Sequence, residues 1–404
     1  MVTKTAQNYI KALAEELEIS ESRYDQAHRR YRAVGEWLNR DASSVKEFAP
    51  AVYAQGSFAF GTVIKPYTEE EEYDVDAVCE LKQLSKSQLS QKQLKELVGQ
   101  EIESYRQANS MHKPLNERRR GWTLSYADEA QFHMDIVPAL PNGAGVRLLL
   151  EQKGLDAQCA GTAISITDNE TGNYAVVTDD WPRSNPKGYL QWFRSRMSIL
   201  LERRKAELAK KVHANVEDIP DYRVRTPLQS AIMILKRHRD MMFAGDQTNR
   251  CPISIIITTL AGHSYQGEEQ IGDALFSILS RMDSDEFIHW NNGKYVIPNP
   301  SDPLENFADK WEQFPERKDA FFEWLAQARQ DFHAARNQYS RKEITETLSP
   351  RIGSDLAKRA EGRSADVGQQ SLLKESSAAS AASMAAKPSF GNEPRIPTKP
   401  KGFA

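Results

Sequence analysis

The chain has 404 residues, of which 53 are Lys or Arg and 56 are Asp or Glu, giving a net charge of −3. That length suits two domains or one large bilobal unit with ample core, and the near balance of charge argues against a global basic field for a nucleic-acid polymer. Cys79, Cys159 and Cys251 show no Cys-x-x-Cys spacing, no apolar run approaches membrane-spanning length, and the charged N-terminus lacks a signal-peptide core, so a cytoplasmic protein off the membrane is expected.

Residues 1–40 read as helical. Tyr24, Ala27, His28, Tyr31, Val34 and Leu38 recur at helical spacing and form one stripe, on which His28 reads as a packed histidine rather than a ligand. Val52–Tyr53 then leads as a strand into Gln55-Gly56-Ser57. The acidic run Thr68-Glu69-Glu70-Glu71-Glu72 reads as a solvated loop tip. Strands are expected over Tyr73–Glu80 and Gln131–Val137, and Leu84–Asn109 is helical in period and should cover the back of the sheet. Gly121–Ser125 precedes the second acidic strand closely enough to form a hairpin with it. Asn142–Gly145 reads as a turn, and Gly161–Thr178 alternates like a further hairpin turning near Asn169–Gly172.

The chemistry sits on the two acidic strands. Successive strand side chains alternate faces, so Asp74 and Asp76 share one face while Val75 and Ala77 point into a core. In Phe132-His133-Met134-Asp135-Ile136, the apolar residues take one face, and His133 and Asp135 share the other. Three carboxylates on two strands, with sixteen residues between Gly56-Ser57 and the first, are what a nucleotidyl transfer site requires. Hard oxygen ligands suit Mg²⁺, and two ions about 3.5–4 Å apart stabilise both the attacking and the leaving oxygen. Asp74 and Asp76 are expected to bridge two Mg²⁺ ions, for which Mn²⁺ can substitute. Asp135 is expected to complete the site of the ion that activates the attacking hydroxyl. Gln55, Gly56 and Ser57 would cradle phosphate, where glycine lets the backbone approach closely.

Beyond Pro182–Pro186 the pattern turns helical: Lys187–Lys211, Pro227–Phe243, Ile253–Ser264, Ile271–Met282, Pro303–Glu312 and Asp319–Ser340. Thr226-Pro227 is a helix start, with an N-cap residue and proline at the first helical position. A helical lobe facing an α/β core leaves a cleft between them, where nucleotides usually sit. The basic runs Arg118–Arg120 and Arg203–Lys205 read as exposed faces.

On these residues the chain resembles the bacterial cGAS/DncV-like nucleotidyltransferases (CD-NTases), relatives of oligoadenylate synthetase in the polymerase-beta-like superfamily. The matching runs are Gln55–Thr62 (QGSFAFGT), Tyr73–Val78 (YDVDAV), Met134–Pro138 (MDIVP) and Ser184–Tyr189 (SNPKGY), followed by Leu235–Asp240 (LKRHRD), Ser254–Leu260 (SIIITTL) and Asn299–Phe307 (NPSDPLENF). The resemblance implies an α/β + α fold: a polymerase-beta-like nucleotidyltransferase core, a helical second lobe and a disordered C-terminal tail. We therefore expect the N-terminal helix and core over residues 1–185, the helical lobe over 186–360 and the tail over 361–404.

The resemblance further implies that ATP and other NTPs are condensed into a cyclic di- or trinucleotide second messenger, with release of pyrophosphate. That product would act on a downstream effector in the anti-phage system CBASS, with no nucleic-acid polymer required. In relatives a helix lysine and a later serine hold the donor triphosphate, and Lys236 and Ser254 match that order. The bare reading of the same residues is a solvated lysine and an N-cap serine. The C-terminal Pro400-Lys401-Gly402-Phe403-Ala404 resembles a conjugation handle for a ubiquitin-transferase-like partner. Two other functions stand open on sequence: a linear oligonucleotide synthase of oligoadenylate-synthetase type, and a nucleotide-binding scaffold without turnover.

Overall fold

The computed structural model describes residues 2–67, 73–126 and 132–365. Its central sheet contains β1 (Pro50–Ala54), β2 (Tyr73–Leu81), β3 (Asn116–Glu117), β4 (Trp122–Ser125), β5 (Phe132–Pro141), β6 (Ile164–Ile166) and β7 (Arg183–Ser184). The strand order is β1-β2-β5-β4-β3, with β6 on the far end of β5 and β7 beside β6. β2 and β5 run parallel, in a register that sets Asp74 opposite His133 and Asp76 opposite Asp135. β4 returns antiparallel along β5 and sets Thr123 opposite Asp135.

The alternation of the two acidic strands decides which way the sheet faces. Val75, Ala77, Cys79, Met134 and Ile136 are buried under the two helices that cover one face. In chain order the helices begin with α1 (Lys4–Leu17), α2 (Glu21–Leu38), α3 (Gly56–Phe60), α4 (Gln91–Ala108) and α5 (Gly143–Gln152). α2 contributes Tyr24, Ala27, Val34 and Leu38 to that face, and α4 contributes Leu94, Val98 and Ile102. Each such fully buried aliphatic side chain contributes about 1.5–3 kcal/mol. α4 approaches the sheet closely at Gly99, where a Cβ would stand 2.5 Å from the Trp122 ring.

The helical lobe comprises α6 (Pro186–Ser195), α7 (Ser198–Val212), α8 (Pro227–Met242), α9 (Ser254–Ser264), α10 (Ile271–Arg281), α11 (Lys310–Gln313), α12 (Pro315–Arg336) and α13 (Arg341–Ile352). α8 is its axis, buried continuously from Pro227 to Arg239. It starts on a full capping box: the Thr226 side chain accepts from the Gln229 amide, and the Gln229 side chain accepts from the Thr226 amide. The same Gln229 donates to the Phe60 carbonyl at 2.8 Å and so ties α8 to the core.

Several expectations change. α1 contributes Tyr9, Ile10, Leu13 and Leu17 to the helical lobe's core, so the packing of the first helix crosses the boundary drawn at residue 185. Residues 354–365 are helical, and Arg363 donates to Glu16 at 2.6 Å, so the tail does not begin at residue 361. Residues 366–404 and Thr68–Glu72 lie outside the described residues. Lys187–Lys211 is two helices, α6 and α7, and Asn142–Gly145 opens α5 rather than forming an isolated turn.

Two further segments differ because side chains compete with backbone partners. The helix expected over Pro303–Glu312 is found only from Lys310, as α11, and its first part belongs to the hairpin β10 (Pro298–Asn299) and β11 (Asp302–Asn306), preceded by a separate hairpin of β8 (His289–Asn291) and β9 (Lys294–Val296). Asn306 Oδ1 accepts from the Ile297 and Ala308 amides, both at 2.9 Å, and holds the chain in that turn. The hairpin expected over Gly161–Thr178 keeps only β6, which pairs with β5 and β7. After it, Gln91 accepts from the Asp168 amide at 2.9 Å and Asp168 accepts from the Glu170 amide at 3.1 Å, which replaces a ladder with turns.

Candidate active site

The parallel register of β2 and β5 brings the three predicted acids together. Asp74 and Asp76 lie two residues apart on β2, and Asp135 stands beside Asp76 on β5. Asp74 is the outermost and contacts His133 Nε2 through Oδ1 at 2.5 Å. That hydrogen bond holds the Asp74 carboxyl below the usual range, against the opposing effect of burial. Asp76 behaves oppositely: burial, then the negative charges of Asp135 and Asp74, push its carboxyl up to about 6. Asp135 accepts from the Thr123 hydroxyl through Oδ1 at 2.5 Å.

The turn ahead of β2 is fitted against the same carboxylates. The Gln55 amide donates to the Asp76 carbonyl at 2.8 Å, and Gly56 follows with φ +61°. A Cβ on Gly56 would stand 2.5 Å from Asp76 Oδ2, so both the left-handed backbone and the close approach demand glycine.

From this turn a cavity of about 710 Å³ opens between the core and the helical lobe, with Gly56, Ser57, Asp74, Asp76, Lys236 and Ser254 in its wall. Gln55 and Asp135 are not in that wall. Gln55 contributes through its backbone, and Asp135 sits on the far side of the Asp74–Asp76 strand.

Lys236 is 7% exposed, which excludes the solvated-helix reading. Its ammonium donates to the Thr62 carbonyl at 2.9 Å, joining the lobes across the cavity. Burial and then the neighbouring Arg239 charge push its pKa down to about 8. Ser254 is the first residue of α9, whose N-cap Ile253 supplies no side-chain acceptor. Arg239 Nη1 donates to Ser254 Oγ at 2.8 Å and to the Pro252 carbonyl at 2.9 Å. Because arginine carries donors only, Ser254 Oγ must accept there, and its own hydrogen remains for an anionic ligand.

Among the described residues, no three His, Cys, Asp or Glu side chains converge tightly enough to enclose a metal ion. The reason is visible: Asp74 turns to His133, and Asp135 turns to Thr123. Each contact occupies one carboxylate oxygen and leaves the other. The donor chemistry fits a hard divalent cation such as Mg²⁺, and the Asp76 carboxyl, raised by burial first and then by the charges of Asp135 and Asp74, is one that a cation would stabilise in its ionised form.

Sequence reasoning missed the residues that hold the predicted ones: His133, Thr123, Arg239 and the Thr62 carbonyl. Only His133 carried a signal, since its alternation with Asp135 put both on the carboxylate face. The basic runs are exposed only in part. Arg118, Arg119 and Arg120 are exposed, yet Arg119 and Arg120 pair with the buried Asp168, and Lys205 is half-buried beside Asp221.

Comparison with known proteins agrees with this geometry. Residues 4–149 match the Second Messenger Oligonucleotide or Dinucleotide Synthetase domain. A c-di-GMP synthase of Roseivirga ehrenbergii is 28% identical over 364 residues, covering 89% of this chain and 87% of that protein. The cyclic dinucleotide synthase CdnG of Bradyrhizobium diazoefficiens is 26% identical over 321 residues, covering 74% of this chain and 68% of that protein. The structure of the CD-NTase CdnG from Bradyrhizobium diazoefficiens in complex with GTP superimposes with a TM-score of 0.63 at 21% identity, over 88% of this chain and 98% of that one. In its domain match, its two relatives, its fold and its carboxylate row, the chain is similar to the nucleotidyltransferases of the cGAS/DncV-like type, the CD-NTases.

Proposed function

We infer that this protein joins two nucleoside triphosphates into a cyclic dinucleotide, releasing pyrophosphate at each of two successive transfers. The observation that carries this is the parallel pairing of Asp76 with Asp135, with Asp74 two residues along, at the edge of the interlobe cavity. In each transfer a ribose hydroxyl oxygen attacks the α-phosphorus of a triphosphate, and the bond to the bridging oxygen of pyrophosphate breaks. Lys236, the Ser254 hydroxyl and the uncapped amides of α9 would hold that triphosphate. Gly56 and Ser57 would let the backbone close on it. Asp74, Asp76 and Asp135 would hold two Mg²⁺ or Mn²⁺ ions. Bound there, such ions polarise the attacked phosphate and ease deprotonation of the hydroxyl.

The similarity to a c-di-GMP synthase and a cyclic dinucleotide synthase supports a two-nucleotide ring, and the GTP complex of CdnG makes GTP the first substrate to test. No helix among the described residues is long and apolar enough to cross a membrane. We assign the protein to the cytoplasm and its product to an effector in CBASS-type anti-phage signalling. The conjugation handle at Gly402–Ala404 lies outside the described residues and stays part of this proposal. Its test is loss of a covalent, higher-mass species when those three residues are deleted in cells that carry the partner.

The experiment for the main reading incubates the full chain with ATP, GTP, CTP and UTP plus Mg²⁺ or Mn²⁺, followed by phosphatase and mass spectrometry. A phosphatase-resistant cyclic dinucleotide, absent from the Asp74→Ala/Asp76→Ala variant, is expected. Products that are only linear would overturn the cyclic assignment. No product under any condition would return the chain to a binding role.

A further inference from the structure

The residues assigned above hold the donor triphosphate, whereas joining two nucleotides requires that the acceptor's phosphates also be held. Gly56 and Ser57, which follow β1, line the cavity on the β1 side of the carboxylate row. On the opposite side, past Asp135, lies β4, and there the turn between β3 and β4 carries Arg118.

Arg118 is built into that turn rather than trailing from it. Its amide donates to the Gly121 carbonyl at 2.9 Å, and its carbonyl accepts from the fully buried Lys95 ammonium. The turn is pressed onto β5, since a Cβ on Gly121 would stand 2.1 Å from the Ile136 carbonyl oxygen. From this rigid base, Arg118 Nε donates to Thr123 Oγ1 at 3.0 Å, and the Thr123 hydroxyl in turn donates to Asp135. With Nε committed, the guanidinium plane is fixed, while its two terminal nitrogens carry no hydrogen bond among the described residues and the side chain is exposed. The positive charge also reaches the row itself, where it helps hold the Asp74 carboxyl down. Its neighbours differ: Arg119 and Arg120 are both turned to Asp168.

We propose that Arg118 binds the phosphates of the acceptor nucleotide with its two terminal nitrogens, while its Nε positions Asp135 through Thr123. A planar fork beside the third carboxylate matches phosphate oxygens in pairs, which a lysine would not. This assignment rests on the two-nucleotide reading above.

The test separates acceptor from donor. The donor is 2′,3′-dideoxy-GTP, which has no hydroxyl to attack with, and the acceptor is either guanosine or the α,β-methylene analogue of GTP, which cannot donate. Initial rates of dinucleotide formation are measured for both acceptors over a concentration series. The wild type is expected to prefer the triphosphate-bearing acceptor, mainly through a lower KM. Arg118→Ala should cut that preference about tenfold or more, the scale of one lost charge-assisted contact, and Arg118→Lys should restore part of it. Thr123→Val, which releases Arg118 Nε as well as Asp135, should lower both rates and reduce the preference, but less than Arg118→Ala does. If Arg118→Ala lowers both rates equally, or keeps the preference, Arg118 does not bind acceptor phosphate. If the wild type joins neither acceptor to the donor, the two-nucleotide reading itself fails, and the Arg118 assignment falls with it.

Discussion

Gly56 and Asp76 are fitted to each other without room for a single carbon: a Cβ at residue 56 would stand 2.5 Å from Asp76 Oδ2. The amide just before it is already committed to the Asp76 carbonyl, so the turn cannot withdraw without breaking that bond. Gly56→Ala should therefore push the Asp76 carboxylate out of line and strain a backbone at φ +61°. We expect product yield to fall at least a hundredfold, with stability lowered by about 1–2 kcal/mol in urea unfolding. A variant that keeps wild-type turnover would show that the close approach has no catalytic consequence.

Lys236 is buried and bonded to the Thr62 carbonyl, with a pKa near 8. If it grips the triphosphate, Lys236→Ala should raise the NTP KM by the equivalent of roughly 1.5–3 kcal/mol. In the wild type, kcat/KM should decline as pH rises through about 8, because the free enzyme loses the ammonium proton there. Lys236→Arg should remove that decline, since guanidinium stays charged. An unchanged KM in Lys236→Ala would leave the lysine as a tie between lobes and nothing more.

His263 offers a pH test away from the carboxylates. It packs between Trp192 and Phe287, at ring-centroid distances of 4.9 and 5.2 Å. Burial, then the nearby Arg196 and His289 charges, depress its pKa from 6.5 to about 4. The folded state thus binds a proton less readily than the unfolded chain. Its contribution is present above pH 6.5 and is lost as pH falls through about 4. Thermal melts should show that loss, on the order of 2–3 kcal/mol, and His263→Phe should flatten it. Identical pH profiles for the two proteins would mean that other groups dominate acid destabilisation.

The C-terminal helix over residues 354–365 closes the lobe over α1. Leu356, Ala357 and Ala360 are buried, and the Tyr9 hydroxyl donates to the Ala357 carbonyl at 3.0 Å. Removing residues 366–404 should leave both melting temperature and synthesis near wild type. Removing residues 354–404 should cost on the order of 3 kcal/mol or more through lost burial. Equal melting temperatures for the two truncations would show that this helix does not support the lobe.

Period-2 alternation on β2 and β5 was legible in the chain itself, because it depends only on local strand geometry: it put Asp74, Asp76, His133 and Asp135 on one face before any neighbour was known. Gly56-Ser57, the Thr226-Pro227 helix start and most of the helical lobe were legible for the same reason, each being a local conformational preference. Whether the strands ran parallel was not local. That register sets Asp76 beside Asp135 and turns His133 onto Asp74, while burial, then the charges of Asp135 and Asp74, raises the Asp76 carboxyl to about 6. Lys236 and Arg118 looked alike in sequence, two cations within basic runs. Packing buried the first between lobes and fixed the second against Thr123, since burial and partner choice are properties of residues 174 and 5 positions away. The helix expected at Pro303–Glu312 failed where Asn306 found backbone partners that no helical period announces.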